Sequence, residues 1–225
     1  MKRRACLQFV GAALLSATLG LAHADTAEDF EKAIIRDDYV LMRKLLRQGV
    51  DPNTVDAQGQ PALVKALQLE SLRVAQELMK APGVRINAVS QGGETALMHA
   101  CIQGNLELVQ QLLALDANVN QPGWTPLHYV ASADHAHSVE IAQLLLDRHA
   151  YIDAESPNRS TPLMLAAQYG SQEMVALLLD AGADVQLRNQ QGMTAVDFAR
   201  RSERDYMVRI LGRAYQATHR SKGSW

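Results

Sequence analysis

Aromatic residues are scarce in this chain, at 5% of 225 positions. A core built with so few rings rests on Leu, Ala, Val and Ile, which favours closely packed helices over a strand-rich sandwich. Catalytic signatures are missing as well. There is no G-x-S-x-G, no H-E-x-x-H and no phosphate-binding glycine loop, and nothing supplies an ordered Cys-His-Asn arrangement. Basic charge is not in excess: 22 Lys and Arg stand against 24 Asp and Glu. A mildly acidic chain lacks the clustered cations that nucleic acid demands, so no nucleic-acid partner is expected. Cysteine is limited to Cys6 and Cys101.

Apolar residues, by contrast, make up 48% of the chain, enough for a sizeable core. One apolar run stands apart from the rest. Lys2, Arg3 and Arg4 precede LQFVGAALLSATLGLA, and Ala22-His23-Ala24 supplies a small-x-small cleavage site. Residues 1–24 therefore read as a cleavable signal peptide, with the mature chain beginning near Asp25 in the periplasm. An uncleaved anchor is the alternative, since Ala5 to Ala22 could just span a bilayer. After cleavage no membrane insertion is expected. Loss of the leader moves the formal net charge from −2 to about −5 and takes Cys6 with it. Cys101 is then a lone thiol, no intramolecular disulfide can form, and the fold must hold by packing.

Self-similarity organises the remainder. GETALMHACIQGNLELVQQLLALDANVN, GWTPLHYVA, STPLMLAAQYG followed by GSQEMVALLLDAGADV, and GMTAVDFARRS share one plan. A turn with Gly leads to Thr, then Pro or Ala, then a short Ala-rich helix. A polar break, a Leu-rich helix and a G-A-D-V-N-like turn follow. The helix-opening positions Pro61, Thr95, Thr125, Thr161 and Thr194 are spaced 34, 30, 36 and 33 apart. The short and long intervals compensate through loops on either side of Thr125, so the helices stay in phase. This pattern resembles the ankyrin repeat over nearly all of the mature chain. The resemblance implies an all-α ankyrin-repeat solenoid of six stacked helix-turn-helix units with hairpin-like loops, capped at both ends. The units run over about 29–56, 57–89, 90–121, 122–156, 157–189 and 190–212, within a repeat domain of 25–212. Residues 213–225, with Arg213, Arg220 and Lys222, read as a basic flexible tail.

Each motif position has a physical task. Thr125 is placed to cap a helix, and Pro126 fills the first turn, where a missing N–H costs nothing. Gly49, Gly83 and Gly182 follow second helices, where a left-handed backbone is needed. Asp116 and His149 stand at that turn in two units, which should make both turns less stable. By the resemblance, His128 is a ring that bridges loop backbone between units rather than a catalyst. His135 and His137 form an H-x-H beside Asp134, with His149 as a weak third candidate for metal. Cys101 reads as a buried small residue, with a redox sensor as the sharper alternative. Asp37 and Asp38 read as a hydrated turn.

The resemblance also implies a non-catalytic module that grips a protein partner along its concave face and loop tips. The repeat position that ordinarily follows the loop Gly carries Gln60, Glu94, Trp124, Ser160 (after Arg159) and Met193. Trp124, Tyr151 and Tyr169 are the expected anchors, with Ile102 and Met193 around them and Arg159 and Arg188 on successive loops. Alternatively, Trp124 folds over its shortened loop. No cofactor is expected, and the chain should be a monomer. Likeness to small exported bacterial ankyrin proteins suggests two kinds of partner. One is a periplasmic enzyme needing support, such as an oxidative-stress catalase; the other is a toxic effector neutralised by an immunity protein. The competing class is a metal-binding or redox-responsive periplasmic protein using His135, His137, His149 or Cys101.

Overall fold

The computed structural model of the protein describes residues 26–222, with side chains as far as 217. The leader expected over 1–24 lies outside the described residues. Among the described residues every regular element is an α-helix. The extended pairings among them are two isolated bridges at loop necks, Val55–Pro61 and Val89–Thr95. The chain is thus all-α, as the repeat pattern requires, and it divides into two compact units at Arg85/Ile86.

The first unit holds α1 (26–35), α2 (Tyr39–Arg47), α3 (Ala62–Gln68) and α4 (Leu72–Lys80). The Asp37-Asp38 turn is structural rather than merely hydrated. Asp37 accepts from the Val74 N–H and from Arg73 Nε, both at 2.9 Å, while Asp38 caps α2 through the Leu41 N–H. Arg43 forms a two-pronged pair with Glu77 at 2.8 Å, and this guanidinium holds the Glu77 carboxyl down to about 2.

The second unit holds α5 (Ala96–Ile102), α6 (Leu106–Ala114), α7 (Pro126–Ala131), α8 (Ser138–Asp147), α9 (Pro162–Gln168), α10 (Gln172–Asp180), α11 (Ala195–Arg201) and α12 (Asp205–Lys222). Helices α5, α7, α9 and α11 pack in succession, and α6, α8 and α10 do likewise. Ala100, Ala131, Ala166 and Ala167 are fully buried in the first row, Leu112, Leu145 and Leu178 in the second. The small side chains permit very close approach. At Gly170, a Cβ would lie 2.5 Å from the Ala131 carbonyl oxygen, so only glycine fits. Helix α12 runs on through Lys222, past the boundary at 212 where the sequence reading begins a tail.

The four threonines open their helices by one device with different partners. Thr95 and Thr161 each pair with a methionine three residues on, Met98 and Met164, while Thr194 binds Asp197. At Thr125 the partner is His128, whose Nδ1 meets the Thr125 N–H at 3.2 Å and its hydroxyl at 2.9 Å.

Side-chain amides lace successive turns together. In the first unit, Asn53 Nδ2 donates to the Gly83 carbonyl while its Oδ1 accepts from the Arg85 N–H. In the second, Asn87 repeats this with Asp116 and Asn118, and Asn120 with His149 and Tyr151. Asp153 is next in line and only accepts, from the Asp184 N–H. Asp116 and His149 have φ of +59° and +63°, so both left-handed turns are held by an amide of the preceding repeat. At the far end, Arg204 caps α9 by donating to the carbonyls of Ala166, Ala167 and Gly170.

Candidate partner-binding face

Every proposed contact residue lies in the second unit. Trp124 sits on the loop tip before α7, half-buried, its ring edge-on to His128 with centroids 5.3 Å apart. His128 is fully buried, and its Nε2 meets the Ser160 carbonyl at 2.9 Å, on the next loop. Burial pushes the imidazole below its ordinary range despite that bond. The ring is therefore a neutral strut between loops, and Trp124 leans on it.

Tyr169 ends α9 with 56% of its surface exposed, and Tyr151, on the turn leading toward α9, is 68% exposed. Ile102 ends α5 and Met193 precedes Thr194; both are half-buried. The two arginines are occupied within their own loops. Arg159 forms a two-pronged pair with Glu155, and Arg188 Nη1 donates to the Gly192 carbonyl at 2.6 Å.

The histidines of the inserted turn are not gathered into a site. His135 packs over Gly104, leaving no room there for a Cβ, and its Nε2 meets the Ile102 carbonyl at 3.0 Å. His137 lies 3.3 Å from Glu140 on its own turn, and His149 occupies its left-handed turn after α8. No group of three His, Cys, Asp or Glu suited to a metal ion occurs among the described residues. Cys101 is fully buried, and burial drives its thiol far above the ordinary range, so the reactive thiolate is suppressed.

Sequence reasoning placed Glu94 on a loop tip but missed what it meets. The Tyr129 hydroxyl, from the next repeat, donates to Glu94 Oε1 at 2.8 Å. His99 Nε2 stands 3.6 Å from Glu94 Oε2, buried and without a hydrogen-bond partner. Burial lowers the pKa of His99, with Glu94 opposing, and burial then the Glu94 bond raise that of Tyr129. Gln121 Nε2 donates to the Gly93 carbonyl at 2.7 Å, tying the loop of Trp124 to the loop of Glu94. No local pattern could have paired residues 35 positions apart.

A model of ankyrin repeats matches three times, over residues 31–122, 68–156 and 133–220. A putative ankyrin repeat protein of Escherichia coli, YahD, is 31% identical over 193 residues, which are 69% of this chain and 96% of that protein. The mouse ankyrin repeat and SAM domain-containing protein 6 is 34% identical over 134 residues, 56% of this chain but 15% of that protein. The human transient receptor potential cation channel subfamily A member 1 is 29% identical over 161 residues, 68% of this chain and 14% of the channel. The chain thus spans only a small part of these last two relatives. Ankyrin repeats generally mediate protein–protein interaction and are typically non-catalytic. By motif, by fold and by these matches, the chain belongs to the ankyrin repeat family.

Proposed function

We propose that this protein is a non-catalytic binding module of the bacterial cell envelope. It holds one protein partner against the first-helix ends and loop tips of its second unit. The observation that carries this reading is Tyr169, a large ring left 56% exposed at the end of α9 in a family built for protein contacts. Trp124, Ile102 and Met193 supply half-buried apolar surface of the kind that loses water on docking. Tyr151, Arg159 and Arg188 complete the proposed contact set. Placement in the periplasm rests on the leader sequence, and likeness to an E. coli protein matched over 96% of its length supports a bacterial setting. A periplasmic enzyme needing support, such as a stress catalase, and a toxic effector held inactive both suit such a face. The protein is proposed to act as a monomer. No described helix is long and apolar enough to cross a membrane.

The test is a pull-down from envelope extract with the protein and its Trp124→Ala, Tyr169→Ala double variant. A partner recovered by the first and lost by the second supports the reading. Identical partner sets for both would dismiss these anchors. N-terminal sequencing of protein from the periplasmic fraction should begin near Asp25.

A further inference from the structure

Glu94 is an anion without a counter-cation. Among the described residues, no lysine or arginine forms an ion pair with it, and its one nearby basic group is the buried His99 ring. The carboxylate is nevertheless not loose. Tyr129 holds Oε1 at 2.8 Å from a neighbouring repeat, and the side chain is only 32% exposed. His99, 8% exposed, aims an unpartnered Nε2 at Oε2 from 3.6 Å, too far for a bond. Oε2 is thus an acceptor for which the described residues show no donor within bonding distance. A charged group that is pre-positioned, partly desolvated and unneutralised favours an external cation more than a freely solvated carboxylate does.

The surroundings narrow the chemistry. Gln121 ties the Glu94 loop to the loop that carries Trp124, so an indole stands on the adjoining loop, edge-on to His128. A carboxylate bonded to a phenol hydroxyl, with an indole on the tied loop, suits a guanidinium or ammonium on an aliphatic stem. We infer that Glu94 and Tyr129, with Trp124 on the neighbouring loop, form a receptor for one basic side chain, lysine or arginine, presented by the protein partner. This rests on the proposed binding role and names the partner's chemistry at one point of the face.

The experiment is a 1H–15N NMR titration of the purified protein with blocked Gly-Arg-Gly, and with Gly-Glu-Gly and Gly-Gly-Gly as controls. The expected result is saturable shifts of the Gly93 and Glu94 amides and the Trp124 indole N–H with the arginine peptide alone. Glu94→Gln, which keeps an acceptor for Tyr129, should weaken that binding about fivefold while the remaining spectrum stays in place. Tyr129→Phe should weaken it by a smaller factor. Equal shifts from the arginine and glutamate peptides, or an unchanged titration in Glu94→Gln, would overturn the receptor. So would shifts confined to the Arg159 and Arg188 loops with the glutamate peptide, which would assign an acidic partner. If the receptor fails while the Trp124, Tyr169 double variant still loses its partner, the binding role stands and only the basic anchor falls.

Discussion

Asp153 occupies a position that asparagine fills in three earlier turns, and the difference is one proton donor. Asn87 and Asn120 each give an N–H to a turn carbonyl and take one from the backbone beyond it; Asp153 can only take. Burial, and the charge of Asp184, raise its carboxyl above the ordinary range. Asp153→Asn should therefore let the side chain donate to the Gly182 carbonyl and add about 0.5–1.5 kcal/mol at neutral pH, read from urea unfolding. Because the folded pKa is raised, the native carboxyl takes up a proton more readily than the unfolded one as pH falls. The advantage of the variant should then shrink in acid, and a gap independent of pH would exclude this account. His128 makes the opposite point, since both ring nitrogens are engaged and neither engagement needs charge. His128→Ala leaves the Thr125 N–H and the Ser160 carbonyl without their partner, which should cost about 1–3 kcal/mol and lower the melting temperature.

At the scale of elements, the repeat plan was readable because each helix start and turn carries its own local chemistry. Thr125-Pro126-Leu127-His128 spells a helix start, a first-turn proline, a core contact and a bridging ring, and the structure uses each so, except that the Thr125 hydroxyl meets His128 Nδ1 rather than a helix N–H. The left-handed turns were likewise predicted, including the two without glycine. Their strain is partly met by the asparagines of preceding repeats, which no single-turn argument anticipates. His149→Gly should still relieve the left-handed backbone and stabilise by up to about 1 kcal/mol, measured by thermal unfolding. Gly170→Ala should do the reverse, because the added methyl meets the Ala131 carbonyl rather than a flexible side chain. The inserted histidine turn was misleading on sequence alone. H-x-H suggests a ligand pair, yet His135 lies over Gly104 in a neighbouring repeat and serves packing. Contacts of that reach, like Tyr129 with Glu94, depend on how repeats stack and leave no periodic trace in the letters.

For the molecule as a whole, the titrating groups mostly lean one way. His99 and His128 have folded pKa values below the free value, so the neutral rings favour the fold above about pH 6.5 and that contribution fades as pH falls. Glu77, held at about 2, favours the fold above its unfolded range near 4.5 and loses its effect as pH drops toward 2. The melting temperature should thus decline on acidification in two windows, the first below about 6.5 and the second below about 4.5. Ring titrations of His99 and His128 by NMR should place both midpoints under the free value. A melting temperature that rises between pH 7 and 5 would contradict the assignment of both rings as neutral.

Arg204 gives the end of the chain a task at a distance. Its guanidinium closes the carbonyls at the end of α9, the helix that Tyr169 directly follows. Cutting the chain before Arg204 would strip that closure and let the platform under the ring fray. The proposed binding face would slacken although none of its own residues had been touched. Truncations meant to trim a spare terminal repeat would then read out as lost recognition, and adding back the segment from Arg204 through α12 should restore it.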